Sequence, residues 1–154
     1  MARSTFIYVA YIRATPEKLW SAFTDAQYMR RYWFGTHWET EWTAGSSWMM
    51  VTGDGRIPDA GEIVEAEPPR RLVIRWRHQD KPELKAEGES QCTVELERIG
   101  SAAKLSLTHT IEREPSKFIE AVSGAWPKII SNLKSVLETG SAVLQHPYPP
   151  RNQL

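Results

Sequence analysis

One cysteine, Cys92, is all that this 154-residue chain contains. No intramolecular disulfide can staple it, and a lone thiol fits a reducing, cytoplasmic setting. Neither sign of charge is in excess: 19 lysines and arginines balance 19 aspartates and glutamates. Without a net basic field, neither nucleic acid nor an acidic membrane surface is expected as a partner. Arg30-Arg31 is too short a basic run to change this, and no base-stacking motif accompanies it. No apolar stretch is long enough to span a bilayer. The opening Met1-Ala2-Arg3-Ser4-Thr5 lacks the apolar run and cleavage site of a signal peptide. Chemistry-bearing motifs are scarce as well. There is no nucleophile elbow, nucleotide fingerprint or paired-carboxylate arrangement. Gly53-Asp54-Gly55 is a turn, because no helix follows to make it a phosphate loop. His37 with Glu39, and His78 with Asp80, have strand-alternate spacing, but no cluster has metal-ligand spacing. Neither a metal nor a cofactor is expected.

What the chain does carry is aromatic weight. Seven tryptophans are enough to fill a core or to line a binding cavity. The length suits one domain that buries about 70% of its unfolded surface.

Phe6 to Ile12 is an apolar run of aromatic and β-branched residues, read as a strand with little solvent on either face. Thr15-Pro16-Glu17 then starts a helix with a capping hydroxyl, a proline at the first helical position and an acid near the positive dipole end. Asp25 caps a second short helix, Ala26 to Tyr32, ending at Gly35. Strands and turns follow: Trp38 to Trp42, Ser47 to Thr52, a Gly53-Asp54-Gly55 hairpin signal, Ile57 to Glu67, and Arg71 to His78 after Pro68-Pro69. Arg75 and Arg77 alternate with Ile74 and Trp76, which puts the arginines on the outer face. Gln79 to Glu87 is polar and reads as a loop. Glu89 to Arg98 puts Ser90, Cys92, Val94 and Leu96 on one face, and Lys104 to Ile111 does the same with Leu105, Leu107, His109 and Ile111. Gly100-Ser101 joins them as a hairpin. A buried, inert thiol is the expectation for Cys92.

The last periodic segment, Pro115 to Gly140, is one long helix. Phe118, Val122, Trp126, Ile129, Leu133 and Val136 share its apolar face, while Glu120, Lys128, Asn132, Lys134 and Glu138 fall largely opposite. Pro127 predicts a kink, and Gly124 leaves room for a bulky group to approach the backbone. Strand, two short helices, about six strands and a long helix make an α+β fold in which a curved antiparallel sheet grips a helix.

Three segments carry a family likeness that runs from about Phe6 to Gly140. Thr15-Pro16-Glu17-Lys18-Leu19-Trp20 with Phe23-Thr24-Asp25, Gly61-Glu62-Ile63-Val64-Glu65-Ala66-Glu67-Pro68-Pro69-Arg70-Arg71-Leu72, and Gly124-Ala125-Trp126-Pro127 with Leu133 and Leu137 resemble the activator of HSP-90 ATPase homologue family. That family belongs to the START-like, or birch-pollen-allergen-like (SRPBCC), superfamily. The resemblance implies a helix-grip fold: six to seven antiparallel strands wrapped around a long C-terminal helix, with two short helices after the first strand. It implies one such domain over residues 1–145, followed by an extended proline-rich tail over 146–154. It also implies a cavity between sheet and helix, as in many bacterial single-domain relatives, suited to a small apolar or aromatic molecule. The co-chaperone's separate N-terminal domain has no counterpart here, so chaperone binding is not expected.

Within that frame Trp126, Phe118, Val122 and Ile129 are expected to form a lid. Trp76, Val94, His109, Met49 and Val51 line the sheet side, and Tyr32, Trp33 and His78 lie near the mouth. His109 is the weak catalytic candidate, since a histidine on an apolar face can carry a proton near neutral pH. Three functions are weighed: a small-molecule binding protein, a polyketide cyclase or dehydratase, and an interaction protein. The last would use one face of the first strand, either Phe6 with Tyr8 or Ile7 with Val9 and Tyr11, to meet a chaperone or a second copy of itself as a homodimer.

Overall fold

The computed structural model describes residues 2–144, so the segment 146–154 lies outside the described residues. The elements run β1 (Ser4–Ile12), α1 (Pro16–Phe23), α2 (Ala26–Tyr32), β2 (His37–Glu39), β3 (Ser47–Val51), β4 (Asp59–Glu67), β5 (Arg71–His78), α3 (Pro82–Lys85), β6 (Ser90–Ile99), β7 (Ala102–Ile111) and α4 (Lys117–Thr139). The helices begin where local chemistry dictates. Thr15 Oγ1 accepts from the Lys18 amide, Asp25 Oδ1 from Tyr28 and Ser116 Oγ from Ile119, each at 3.0 Å. Each bond satisfies one of the donors a helix start leaves free. Gly140 ends α4 in the left-handed region at φ 92°, where a residue without Cβ is unstrained.

Seven strands pair antiparallel in the order β1-β7-β6-β5-β4-β3-β2. The one crossover brings the first strand beside the last, as short antiparallel connections allow. The curved sheet wraps α4, whose Phe118, Ile119, Trp126, Ile129, Ile130, Leu133 and Val136 are buried against it and the short helices. Each such side chain contributes about 1.5–3 kcal/mol through removal from water. The expected alternation holds through β6 and β7, with Ser90, Cys92, Val94, Leu96, Leu105, Leu107, His109 and Ile111 all buried.

Several expectations change. β1 has one wet face: Ile7 and Tyr11 are 65% and 52% exposed, and Val9 is also exposed. The strand lies at the sheet edge, and α4 packs on one face of the sheet, which leaves the other face of β1 to solvent. Lys134 Nζ donates to the Tyr11 carbonyl and Glu138 accepts from the Arg13 amide, closing part of that edge. The polar stretch after β5 holds the single helical turn α3, whose Leu84 is buried. Asn132 is buried rather than solvated. Its amide donates to the carbonyls of Tyr32 and Leu144 and accepts from the Leu144 amide, so it ties α4 to the chain on either side. Gly124 is exposed and no protein atom crowds its Cα, so no protein group uses the room it leaves. α4 is continuous through Pro127. Among the described residues no helix is long and apolar enough to cross a membrane.

Candidate functional site

Aromatic side chains from β2, β3, β5, α4 and the segments that follow α2 and β2 meet in the interior. Trp38 of β2 stacks on Trp48 of β3 with ring centroids 3.9 Å apart and planes at 8°. It also stacks on Trp42 at 5.6 Å. Edge-on, it meets Trp76 of β5 at 5.2 Å and, tilted, Trp33 at 5.5 Å. Trp126 of α4 closes the group from above, T-shaped on Trp33 at 5.3 Å and on Trp76 at 5.8 Å. Offset and edge contacts of this kind add about 0.5–1.5 kcal/mol each beyond burial. Phe34 and Trp42 hold left-handed backbone at φ 54° and 57°, a conformation that costs non-glycine residues about 1–2 kcal/mol.

Gly61 is what lets Trp48 into this group. An added Cβ there would sit 1.9 Å from the Arg75 carbonyl oxygen and 2.9 Å from Trp48 Nε1. Across that bare backbone Trp48 Nε1 donates to the Arg75 carbonyl at 3.1 Å. This geometry fixes the parity of β3 and corrects the sequence expectation. Trp48 and Met50 are buried, Met49 is exposed and Val51 half-buried. A strand alternates faces, so seating Trp48 inward turns its neighbour Met49 out.

The two inward histidines differ in their bonding. His109 is fully buried between Ser90 and Trp126. Trp126 Nε1 donates to His109 Nδ1 at 3.1 Å, which leaves the ring proton on Nε2, facing Ser90 Oγ at 2.8 Å. Burial holds this imidazole neutral, with its pKa lowered to about 3. Both nitrogens are engaged, so no lone pair or labile proton remains for chemistry there. His78 ends β5 on the same inner face. Its Nδ1 lies 2.9 Å from Asp59 Oδ1, and that carboxylate also accepts from Trp76 Nε1 at 2.9 Å. His78 Nε2 is buried without a hydrogen-bond partner among the described residues. Phe118 bridges the two, 5.4 Å from the His109 ring and 6.1 Å from the His78 ring.

The remaining expected residues fall around this centre. Tyr32 is buried and donates its hydroxyl to the Phe23 carbonyl at 2.9 Å. Burial, then the charge of Asp25, raises its pKa well above the usual value. Val94 and Ile129 are buried, and Val122 is half-buried on the rim of α4. Burial also raises the pKa of the Cys92 thiol. The alternation of β4 and β5 gave no warning of Asp59, because its role depends on facing His78 across the strand pair. Thr36 was likewise missed. Its hydroxyl, Trp33 Nε1 and Trp38 Nε1 are all buried without a hydrogen-bond partner among the described residues. His37 is bound to Glu39 at 3.1 Å, and no group of three or more His, Cys, Asp or Glu among the described residues could hold a metal ion.

The sequence profile of the family described as "Activator of Hsp90 ATPase homolog 1-like protein" matches residues 13–138. No curated protein matches the chain. Solved structures share its fold. CalU16 from Micromonospora echinospora has 23% identity and a TM-score of 0.70, with 88% of this chain and 77% of that one covered. The Aha1 dimer from Colwellia psychrerythraea has 20% identity and a TM-score of 0.72, covering 89% and 98%. PFC0360w, an HSP90 activator from Plasmodium falciparum, has 25% identity and a TM-score of 0.71, covering 86% and 95%.

Proposed function

This chain belongs to the activator of Hsp90 ATPase homolog 1-like family, and on that premise we propose that it binds a small aromatic molecule between its sheet and α4. One observation carries the reading. Two indole N–H groups, of Trp33 and Trp38, are buried in the aromatic group with no acceptor among the described residues, and the Thr36 hydroxyl is likewise unpaired there. An unpaired buried donor costs about 1–3 kcal/mol, and native structures rarely leave one without a role. Rings that stack on a planar ligand, with N–H donors free to meet its acceptor oxygen, suit an aromatic ketone or ester. Apolar burial supplies most of the affinity and the donors set orientation. The single buried thiol and balanced charge support a cytoplasmic setting. Proton transfer by His109 is not part of this reading, because both of its nitrogens are engaged.

Trp33→Phe tests it, since the change keeps a ring and removes one unpaired donor. The unliganded protein should lose some packing, offset in part by removal of the unpaired donor, while affinity for aromatic ketones at conditions where the variant is folded, followed by tryptophan fluorescence, should fall about fivefold. Native mass spectrometry of protein from its own source should also show a retained small molecule. A clean chain mass, together with no fluorescence response to a panel of aromatic ketones and esters, would refute the proposal.

A second reading rests on Ile7, Val9 and Tyr11, which form an apolar stripe on the wet face of the edge strand. The Colwellia psychrerythraea neighbour is described as a dimer, and this stripe is where a second copy of the present chain would meet it. Sedimentation equilibrium of wild type and Ile7→Lys decides it: a wild-type monomer removes this reading.

A further inference from the structure

A carboxylate that receives two N–H groups fixes the orientation of both. Asp59 is buried and accepts from Trp76 Nε1, which has no alternative to donating. The same oxygen faces His78 Nδ1 at 2.9 Å. The imidazole therefore carries its proton on Nδ1, and the Nε2 lone pair is left over. His78 is 6% exposed, and Nε2 has no partner among the described residues. His109, two strands away on β7, has the opposite tautomer and no idle atom. The chain thus holds two buried imidazoles beside Phe118, one closed by the fold and one left as a hydrogen-bond acceptor.

We propose that the Asp59–His78 pair is a recognition site for a hydroxyl-bearing aromatic ligand, a phenol or the enol of a ketone, whose O–H donates to His78 Nε2 while its ring lies against Phe118. This deepens the reading of the chain as an aromatic-ligand binder and rests on it. Trp33 and Trp38 supply unpaired donors, and His78 supplies the complementary acceptor. A site with an unpaired acceptor discriminates against a ligand that cannot donate, because the acceptor then stays unsatisfied. Asp59 acts as a positioning residue that decides which imidazole nitrogen is free.

The test compares 2-naphthol with 2-methoxynaphthalene, which share a ring system and differ in the O–H. Wild type should bind the naphthol roughly tenfold more tightly. His78→Phe should bring the ratio to about one while leaving the ether's affinity little changed. Asp59→Leu should lower the preference by another route. It removes the oxygen that holds the ring proton on Nδ1, so neither imidazole nitrogen is fixed as the free one. Nitrogen NMR of the wild-type imidazoles gives an independent readout should either variant fail to fold. His78 Nε2 should show an unprotonated resonance that moves on adding 2-naphthol and stays fixed on adding the ether. Equal affinity of the two probes for wild type, or a His78 Nε2 that carries a proton, would overturn the proposal while aromatic binding itself stands. Failure of both probes to bind would overturn it together with the reading on which it rests.

Discussion

Trp126 Nε1 donates to His109 Nδ1 across 3.1 Å, and this bond joins the long helix to β7, the strand beside the edge strand β1. It orients a buried imidazole and seats an indole on Trp33 and Trp76 at once. Trp126→Phe keeps most of the ring contacts but leaves His109 Nδ1 without a donor. We expect a loss of about 1–3 kcal/mol, read as a lower urea midpoint at an unchanged slope. Trp126→Ala removes the packing as well and should cost about 3–5 kcal/mol. Wild-type stability in Trp126→Phe would show that the hydrogen bond contributes nothing.

His109 also makes stability depend on pH in a stated direction. The unfolded imidazole takes a proton below its ordinary 6.5, whereas the folded core withholds it until about pH 3. The stabilisation is therefore fully present above pH 6.5 and is lost progressively on acidification toward pH 3. The slope attributable to one such group is about 1.4 kcal/mol per pH unit. Glu87 and Glu138 are held below their ordinary 4.5 and add their own losses only at lower pH. For Glu87, burial alone would raise the value, but bonds from Ser116 Oγ and the Lys117 and Phe118 amides outweigh it. Thermal melts between pH 7 and pH 5 should fall steeply for wild type and more gently for His109→Phe. Parallel curves would show that His109 is not the group responsible.

Gly61 separates two strands and an indole that have no room to spare. In Gly61→Ala the added methyl meets the Arg75 carbonyl oxygen, a backbone atom that cannot swing aside. Relieving the clash must open the β4–β5 pairing or unseat Trp48 from its bond to that carbonyl. We expect at least about 3 kcal/mol of destabilisation, the upper end of overpacking costs, with loss of near-ultraviolet tryptophan dichroism. Wild-type stability in this variant would mean that Trp48 does not cross Gly61 as described.

Cys92 is enclosed between the sheet and α4, and burial disfavours its thiolate. Since the thiolate is the reactive form, the native protein should be inert to a maleimide at neutral pH. Denaturant should release one reactive thiol per chain, in step with unfolding. Rapid labelling of the native protein would show that the interior beneath α4 opens readily.

Gly124 offers the opposite case to Gly61. It lies within α4, exposed, with nothing near its Cα. Gly124→Ala should raise stability by about 0.5–1 kcal/mol, since alanine loses less backbone freedom in a helix. A loss of stability would show that the backbone there requires glycine.

The order of elements, their caps and the inner faces of β6, β7 and α4 were legible in the sequence. Each of these follows from local causes: the period of side chains along one segment, and the first few donors of one helix. Trp126 and His109 could be placed inward for that reason alone. Other features required two distant segments to be brought together. The parity of β3 depends on Trp48 crossing Gly61 to a carbonyl of β5. The burial of Asn132 depends on carbonyls at Tyr32 and Leu144. Which face of β1 meets solvent depends on the side of the sheet that α4 covers, so the apolar run left open the choice between Phe6 with Tyr8 and Ile7 with Val9 and Tyr11, and the latter is exposed. The histidines show the division most directly. The sequence determined that both lie on inner faces, because strand alternation is a property of one chain segment. Tertiary structure alone decided that Ser90 and Trp126 close His109 while Asp59 leaves a nitrogen of His78 free, because a tautomer is set by whichever partners the strand register delivers to each ring nitrogen.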